Sequence, residues 1–368
     1  MFAAFLLATV VTQSLVGVTG KAQSPAAGQT GAGVVSSSDV SQLKIEAEAG
    51  DVQAQVKLAE AYQDGLGIPK NEELAGQWYQ RAAQQGNPKA QNNLANMYRL
   101  GSGVEKNKAT AVNWYRKAAR QKYPPAMFNL GTVYYNGDGV EIDDVLANVW
   151  FLLAQRNGNQ PADGAVKRMA TSLSPSQKVE TYLTLAEMLT KGEEIPPDET
   201  EATEWYRKAA DQGHPRANVE LAQRLILGTG VSQDYAEARR RCEYAAKQHF
   251  GPGAFCLGLM NKDGLGSTKD ADQAAKWFAR AADLRDDRAM LYLGEMYWKG
   301  EGVKENKEMA YMWLSIAANS GVKGAAQDQQ QIVQEMDPKT ITKARKKAAE
   351  WLKIHPNQPL VLRRPVVR

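Results

Sequence analysis

The feature that most constrains the fold of this chain is a sequence pattern that repeats every 36 residues. Once a single shift of 19 residues is allowed, six of the eight Trp residues fall into one column, namely Trp78, Trp114, Trp150, Trp205, Trp277 and Trp313. Arg241 occupies the Trp position of the one remaining unit. A repeat of about 20–50 residues is typical of solenoids, in which each supersecondary unit buries its apolar face against the next. The 368 residues therefore predict a stack of about seven units.

Each unit has the apolar spacing of two amphipathic helices, which we call helix A and helix B. In the first unit, Ala54, Leu58 and Tyr62 recur at i, i+4 and i+8, and a second stripe includes Ala75 and Trp78. One column contains only Ala in all seven units, namely Ala75, Ala111, Ala147, Ala202, Ala238, Ala274 and Ala310. Small residues at a fixed place let neighbouring helices approach closely. The recurring Trp and Tyr residues are expected to pack in the core between them.

The turn between helix A and helix B is marked by a pair of glycines. In the first unit Gly65 and Gly67 end helix A, because glycine tolerates the left-handed conformation that closes a helix. Asn71 follows four residues later as a good N-cap for helix B. The fourth unit has Glu194 in place of the second glycine but keeps the cap at Asp198. A dinucleotide-binding loop needs a preceding strand and a third glycine, so these glycines predict helix ends rather than a phosphate site.

One motif recurs through the units and is most complete in the second. It comprises Ala90, Leu94-Ala95, Tyr98 and Gly101-Ser102-Gly103-Val104, then Ala111, Trp114-Tyr115 and Ala118-Ala119. With this motif over roughly residues 50–322, the chain resembles the Sel-one-like repeat family, a relative of tetratricopeptide repeats. The resemblance implies an all-α, right-handed α/α solenoid of about seven 36-residue helix-turn-helix repeats with capping helices. It also implies a non-catalytic protein–protein interaction scaffold that binds a peptide or protein in its concave groove and needs no cofactor.

The repeat frame divides the chain into segments. The additional 19 residues in mid-chain add one helix, and Ser174-Pro175-Ser176-Gln177 is a capping box that begins the next one. The expected segments are a signal peptide (1–22), a flexible leader (23–37), an N-terminal repeat array with a capping helix (38–158), an inserted helix and junction (159–177), a C-terminal repeat array (178–322), C-terminal cap helices (323–353) and a basic tail (354–368).

The first residues predict export from the cytoplasm. Residues 2–18 are mostly apolar, and the small residues Gly20 and Ala22 follow, as in a secretory signal with its cleavage site. The mature chain is expected to begin near Lys21 or Gln23 and to be periplasmic or secreted, with no transmembrane span. No Lys or Arg precedes the apolar run, so an uncleaved N-terminal membrane anchor is the alternative.

Clusters of residues that carry chemistry are sparse. His214 and His249 lack partners at metal-ligand spacing, and no nucleophile elbow or carboxylate pair stands out, which predicts neither a metal site nor an enzyme. A net charge of +4, from 45 basic and 41 acidic residues, argues against a nucleic-acid partner. Residues 337–368 hold nine Lys and Arg against two acidic residues. A solvated basic face explains this excess, and an anionic partner is the alternative.

The two cysteines form a possible disulfide. Cys242 occupies the position of Tyr79 and Tyr115 on helix B, and Cys256 lies on helix A of the following unit. The two residues are about equally far from the turn near His249, so the helices can bring them level. Cys256 belongs to an otherwise polar column that would face away, and two free thiols are therefore the alternative.

Columns that vary from unit to unit predict the binding groove, because packing does not fix the residue type there. By analogy with tetratricopeptide repeats, the groove is expected to include Lys89, Asn92, Asn96, Arg99, Phe128, Thr132, Tyr135, Arg216, Gln223, Arg288, Glu295 and Trp298. Phe128 lies in a column that is often apolar, so it fits the core equally well. The alternative partner is peptidoglycan or another cell-wall glycan, which would stack on exposed aromatic residues such as Tyr135 and Trp298.

Overall fold

The computed structural model describes residues 37–356, and over that range the chain forms 18 helices and no strand. In chain order the helices are α1 (Ser37–Glu48), α2 (Val52–Asp64), α3 (Glu72–Gln84), α4 (Pro88–Leu100), α5 (Lys108–Arg120), α6 (Pro124–Asn136), α7 (Asp144–Arg156), α8 (Gln160–Ser172), α9 (Pro175–Lys191), α10 (Glu199–Asp211), α11 (Pro215–Leu227), α12 (Tyr235–Lys247), α13 (Gly251–Asp263), α14 (Ala271–Asp283), α15 (Asp287–Lys299), α16 (Lys307–Asn319), α17 (Ala325–Val333) and α18 (Pro338–Ile354). The predicted signal peptide, nearly all of the leader and most of the basic tail lie outside the described residues.

Seven consecutive pairs of helices form the repeat units. Each pair packs a helix A against a helix B, and the pairs are α2–α3, α4–α5, α6–α7, α9–α10, α11–α12, α13–α14 and α15–α16. Helix α1 precedes the first unit, α8 lies between the third and the fourth, and α17 and α18 follow the seventh. The predicted all-α solenoid of helix-turn-helix repeats is therefore confirmed.

The A helices lie side by side in one layer and the B helices in another. In the A layer, Asn129 of α6 donates a hydrogen bond to Asn92 Oδ1 of α4 over 2.9 Å. In the B layer, Arg207 of α10 forms an ion pair with Glu237 of α12 at 2.5 Å. We call the outer surfaces of these two layers the A-layer face and the B-layer face. A partner can therefore meet two separate surfaces.

The glycine pair and the cap act as the sequence predicts. In the second unit Gly101 has φ +80° and its N–H bonds the carbonyl of Met97, which closes α4. Asn107 then accepts a hydrogen bond from the N–H of Thr110 over 2.9 Å and begins α5. Gly103 has a second role, because a Cβ at that position would overlap the backbone carbonyl of Glu72 at the start of α3.

The contact made by Gly103 recurs in the array. It recurs at Gly230 against Glu199 and at Gly302 against Ala271. In these units the turn packs on the first residue of helix B in the preceding unit, and the second glycine permits that approach. Glu194, which replaces this glycine in the fourth unit, has no positive φ and forms an ion pair with Arg116 at 3.8 Å instead. The inserted helix α8 precedes this unit, so the fourth unit does not follow directly on a helix B as the third and the fifth units do.

The core consists of the Leu and Ala columns more uniformly than of the Trp column. Six Leu side chains of the Leu column are 0% exposed, namely Leu58, Leu94, Leu130, Leu185, Leu221 and Leu257. Trp150 is 2% exposed, but Trp78, Trp114 and Trp277 are only half-buried. These three still pack against the core clusters, so the Trp column contributes to the core as expected, but three of its members lie at the edge of the core. In each case a cation three residues later lies over the indole ring, as Lys117 does over Trp114 at 3.9 Å.

The inserted helix α8 does not interrupt the core. Helix α9 packs directly on α7, where Asn148 donates a hydrogen bond to Thr181 over 3.4 Å between two buried side chains. One continuous hydrophobic cluster includes residues of both arrays, from Ala95 to Ala348. The two arrays therefore share one core across residues 159–177.

Candidate functional site

The predicted groove residues lie on four A helices, and several of them form polar contacts with residues of neighbouring elements. In the N-terminal array, Lys89 of α4 forms an ion pair with Glu60 of α2. Tyr115 of α5 donates a hydrogen bond to Asn96 over 2.5 Å, and Arg99 lies 3.6 Å from a carboxylate oxygen of Asp138. These contacts join neighbouring helices, so the side chains are positioned by the array rather than free in solvent.

One of the predicted residues is buried, and a second packs against the core. Asn92 is 5% exposed and accepts its hydrogen bond from Asn129 between α4 and α6, so its assignment to the groove is wrong. Phe128 is half-buried and packs against Phe151 at the edge of the core, with ring centroids 5.5 Å apart. Asn92 and Phe128 share one column, which is apolar in other units, as at Val56 and Val219. That apolar pattern is the sequence signal that both side chains point towards the core.

Helix α6 contributes one open aromatic side chain to the A-layer face. Thr132 donates a hydrogen bond to the carbonyl of Phe128 on its own helix, which satisfies its hydroxyl group. Tyr135 lies one turn from Thr132 and is 36% exposed. Tyr135 is therefore the residue of α6 best placed to touch a bound molecule.

The C-terminal array carries a cluster of charges that spans several helices. Arg216 of α11 forms ion pairs with Glu187 of α9 at 2.7 Å and with Glu220 at 4.0 Å. Burial raises the pKa of the Glu220 carboxyl, against the opposing effect of Arg216 and of Arg224 and Arg288. We call these five residues the charge cluster. Gln223, on the same helix, is exposed beside it.

Arg288 extends the charge cluster to the last unit. Its guanidinium binds Asp286 over 2.6 Å and lies 4.2 Å from the ring centroid of Phe255. Burial lowers the pKa of Arg288, but the hydrogen bond to Asp286, the charge of Asp286 and the nearby Glu220 and Tyr292 together outweigh it, so the net change is upward. The planar guanidinium is thus fixed against an aromatic ring while 49% of its side chain remains exposed.

The last two predicted residues lie at the C-terminal cap. Trp298 donates its indole N–H to Glu335 over 3.2 Å and packs against the cap cluster that includes Ile332. Burial raises the pKa of the Glu295 carboxyl, and the nearby Asp328 of α17 adds to that rise. Both residues therefore face the cap helix as well as the groove.

Arg224 is a residue of this face that the sequence analysis missed. It lies in a column that is apolar in other units, where Met97 and Met260 stand, yet it is only 7% exposed. Its guanidinium binds Glu199 over 2.5 Å and lies 4.8 Å from the ring centroid of Tyr206. Burial raises the pKa of the Tyr206 hydroxyl to about 12. A charged residue in an apolar column is the signal that marks this position.

The two cysteines are joined in a disulfide between α12 and α13. Their Cα atoms are 6.0 Å apart, and Cys256 is 5% exposed, so its polar column does not face away from the neighbouring helix. The bond connects helix B of the fifth unit to helix A of the sixth, the two units whose motifs are least regular.

The histidines serve the turns between units. His214 accepts a hydrogen bond from the N–H of Ala217 over 3.4 Å as the N-cap of α11, and burial lowers its pKa. His249 adopts φ +55° in the equivalent turn one unit later. Between residues 37 and 356, no group of three or more His, Cys, Asp or Glu side chains is placed to hold a metal ion. Over the same range, no helix has both the length and the apolarity needed to cross a membrane.

Comparison with known proteins identifies the repeat. The model of the Sel1 repeat matches seven segments, at residues 52–87, 88–123, 124–159, 182–214, 215–249, 253–286 and 287–322, which together make up more than half of the chain.

Two relatives whose names describe a role each align with about a third of this chain. An exopolysaccharide production negative regulator of Rhizobium leguminosarum is 33% identical over 139 residues, which cover 34% of this chain and 52% of that protein. The chitin synthase regulator SKT5 of Saccharomyces cerevisiae is 34% identical over 136 residues, 36% of this chain and 19% of that protein. The chain thus spans about half the length, or less, of these two relatives.

Among solved structures, a protective antigen of uropathogenic Escherichia coli with a Sel1-like repeat fold is 28% identical. The alignment covers 85% of this chain and 70% of that one, with a TM-score of 0.45.

Proposed function

Because the chain belongs to the Sel1 repeat family, we propose that it is a non-catalytic scaffold that binds one peptide or protein partner along the A-layer face. Proteins built from Sel1 repeats generally serve as protein-interaction scaffolds. Two relatives are named as regulators, which supports a scaffold role here. The observation that carries the proposal is the contrast between a uniform core and an A-layer face whose side chains change from unit to unit.

The charge cluster is the part of this face that favours a polar partner. Arg216 and Arg288 each keep part of the side chain exposed while ion pairs hold the guanidinium groups in place. Prepositioned Arg side chains lose little entropy on binding, and interface Arg anchors commonly carry about 2 kcal/mol or more. We therefore expect a partner segment with carboxylate or carbonyl groups to lie across α11 and α15.

Site-specific photo-crosslinking tests which face the partner uses. A photoreactive amino acid placed at Gln223 reports on the A-layer face, and the same group at Lys247 reports on the B-layer face. Both positions are exposed, so neither substitution disturbs the core. Crosslinks to one defined protein from Gln223 and not from Lys247 support the proposal, and the reverse pattern contradicts it.

Binding measurements with the captured partner then test the residues. Tyr135→Ala, Gln223→Ala and Arg288→Ala should each weaken the affinity, by about tenfold for the Arg anchor. Lys247→Ala is the matched control, because it removes an exposed B-layer cation without touching the A layer. Unchanged affinity in all three A-layer variants would show that the partner binds elsewhere.

A cell-wall glycan remains the second candidate ligand for the same face. The observation in its favour is Tyr135, whose ring is 36% exposed and free to stack on a sugar. Trp298 adds little support, because its indole is bound to Glu335. Cosedimentation with purified peptidoglycan separates the candidates, since a glycan binder should pellet with the wall and lose that property in Tyr135→Ala.

Export is part of the same proposal. Disulfides persist in oxidising compartments, so the bond between Cys242 and Cys256 supports a periplasmic or secreted location. N-terminal sequencing of the protein purified from its host should give a mature chain that begins near Lys21 or Gln23. A soluble cytoplasmic protein that retains Met1 would contradict export.

A further inference from the structure

A cleft opens on the B-layer face at the position where the fifth unit lacks its Trp. It has a volume of about 380 Å³ and lies between the end of α10, the turn at Gly213 and helix α12. Arg240, Arg241 and Tyr244 line it from α12, and Asp211 lines it from α10. Ligand pockets span about 300–1,000 Å³, so this cleft suits a ligand of about one ring with a short substituent.

The repeat explains why space exists at this position. In the fourth unit, Trp205 occupies the equivalent position and Lys208, three residues later, lies over its ring at 3.6 Å. The fifth unit reverses this order, with Arg241 first and Tyr244 three residues later. The aromatic ring has thus moved by almost one helical turn, and Tyr244 is 41% exposed. The Arg241 side chain replaces the indole and is drawn to Asp211 and Glu237, and the cleft lies beside it.

The turn next to Tyr244 has a glycine, Gly213, where a larger residue would collide with the tyrosine side chain. Gly213 has φ +81°, and a Cβ at that position would lie 2.7 Å from the Tyr244 hydroxyl oxygen. Gly213 therefore lets the tyrosine approach the backbone, and the ring borders the cleft from its outer side. An aromatic ligand that enters the vacated indole position meets the tyrosine ring on one side.

The charges around the cleft leave one cation without a partner. Arg241 binds Asp211 over 2.8 Å and Glu237 over 3.1 Å, and Glu237 also binds Arg207 over 2.5 Å. These ion pairs occupy both carboxylates. Arg240 is exposed and forms no ion pair within residues 37–356. Arg241 and Arg207 therefore share the two carboxylates, and Arg240 is the lining cation left to pair with a negative charge on a ligand.

From these observations we propose that the cleft binds an aromatic group that carries a carboxylate. The ring occupies the space that an indole fills in the other units, as aromatic molecules fill cavities left by missing core side chains. The carboxylate accepts hydrogen bonds from Arg240. This chemistry occurs both in small aromatic acids and in the C-terminal Phe, Tyr or Trp of a peptide. The site lies on the opposite layer from the A-layer face, so it goes beyond the scaffold proposal.

Titration with three matched probes tests the chemistry. The probe 3-phenylpropionate has both the ring and the charge, 3-phenylpropionamide has the ring alone, and propionate has the charge alone. We expect 3-phenylpropionate to bind about tenfold more tightly than either control. Binding of propionate as tight as that of 3-phenylpropionate, or absence of saturable binding by any probe, would overturn the proposal. A peptide that ends in a free Phe, compared with its C-terminal amide, shows whether the source is a peptide or a small acid.

Two variants and one control locate the binding. Arg241→Trp restores the residue of the other units, so it should fill the cleft and abolish probe binding without lowering the melting temperature. Arg240→Ala changes only an exposed side chain, so it should fold normally, and it should make the acid and the amide bind equally. Lys247→Ala, on the same helix, should bind like the unmodified protein. Unchanged binding of 3-phenylpropionate in both Arg variants would place the ligand elsewhere and overturn the assignment.

Discussion

Cys242 on α12 is joined to Cys256 on α13 at the same pair of positions where Phe278 stacks on Tyr292 one unit later. Each pair is 14 residues apart and connects helix B of one unit to helix A of the next. The rings of Phe278 and Tyr292 have centroids 5.0 Å apart and an interplanar angle of 12°. The disulfide thus replaces a contact between side chains that holds successive units together elsewhere in the array.

The first prediction is that the disulfide stabilises the fifth and sixth units. It closes a loop with a sequence separation of 14, for which loop-closure entropy gives about 3 kcal/mol. Cys242→Ser combined with Cys256→Ser should lower the free energy of unfolding by about 2–4 kcal/mol in urea titrations. Hydrogen exchange should show the loss of protection in α12 and α13 first. An unchanged urea midpoint would show that the bond does not contribute to stability.

The second prediction concerns the close approach between units at Gly103. Gly103→Ala places a Cβ on the carbonyl of Glu72, so backbone must move, and the change should cost more than about 2 kcal/mol. Gly86→Ala is the matched control, because Gly86 also has a positive φ of +92° but has no atom within 4 Å of the added Cβ. It should cost only about 1 kcal/mol, from backbone strain. Equal losses in the two variants would contradict the steric argument.

The third prediction separates two members of the Trp column. Trp150 is 2% exposed, so Trp150→Ala should cost about 3–5 kcal/mol, the range for large buried side chains. Trp114 is half-buried under Lys117, so Trp114→Ala should cost less, about 1–3 kcal/mol. Urea denaturation of the two variants tests the ranking. A larger loss in Trp114→Ala than in Trp150→Ala would contradict it.

The same column shows what the sequence could and could not predict. The 36-residue spacing, the glycine φ values and the Asn caps are local features, so they were predictable from one unit and held in the others. Burial of a given Trp depends on what the neighbouring unit places over it, and one unit does not carry that information. A cation three residues after the Trp does not supply it either, because Lys117 lies over the half-buried Trp114 and Lys208 lies over Trp205, which is only 5% exposed.

The A-layer face was predictable in outline but not residue by residue. Variation within a column correctly identified exposed positions such as Gln223. It failed for Asn92, which is polar in a column that is apolar in other units. Its amide is buried because it accepts a hydrogen bond from Asn129 on the next A helix. It also missed Arg224, which is charged and buried at once. Helical periodicity gives the direction of a side chain but not the partner that it meets.

The fourth prediction follows from the burial of Arg224. Replacing a buried ion pair by an apolar residue of similar size is often neutral or stabilising. Arg224→Met restores the residue that Met97 and Met260 provide in other units, and it leaves a partly exposed Glu199. We therefore expect thermal stability in Arg224→Met to equal or exceed that of the unmodified protein. Arg224→Ala should lose about 2–4 kcal/mol, because it leaves a cavity. Similar large losses in both variants would show that the ion pair itself is required.

The last prediction concerns pH and the Glu220 carboxyl. Burial raises its pKa above the ordinary value of 4.5, so the folded state binds a proton at pH values where the unfolded state has lost it. The free energy of unfolding should therefore fall as the pH rises from 4.5 through the folded pKa, and level off above it. Glu220→Gln removes this titration and leaves Arg216, Arg224, Glu187 and Arg288 in place.

Urea denaturation at a series of pH values measures the difference between Glu220→Gln and the unmodified protein. Glu220→Gln should gain stability relative to the unmodified protein as the pH rises above 4.5, because only the unmodified protein must then bury a carboxylate. A second variant, Glu187→Gln, is the control, since it neutralises a carboxylate that pairs with the same Arg216. If Glu220→Gln instead loses stability above that pH, attraction by the three arginines outweighs the cost of burial. The charge cluster would then stabilise the empty A-layer face, and a partner would have to displace an ion pair in order to bind there.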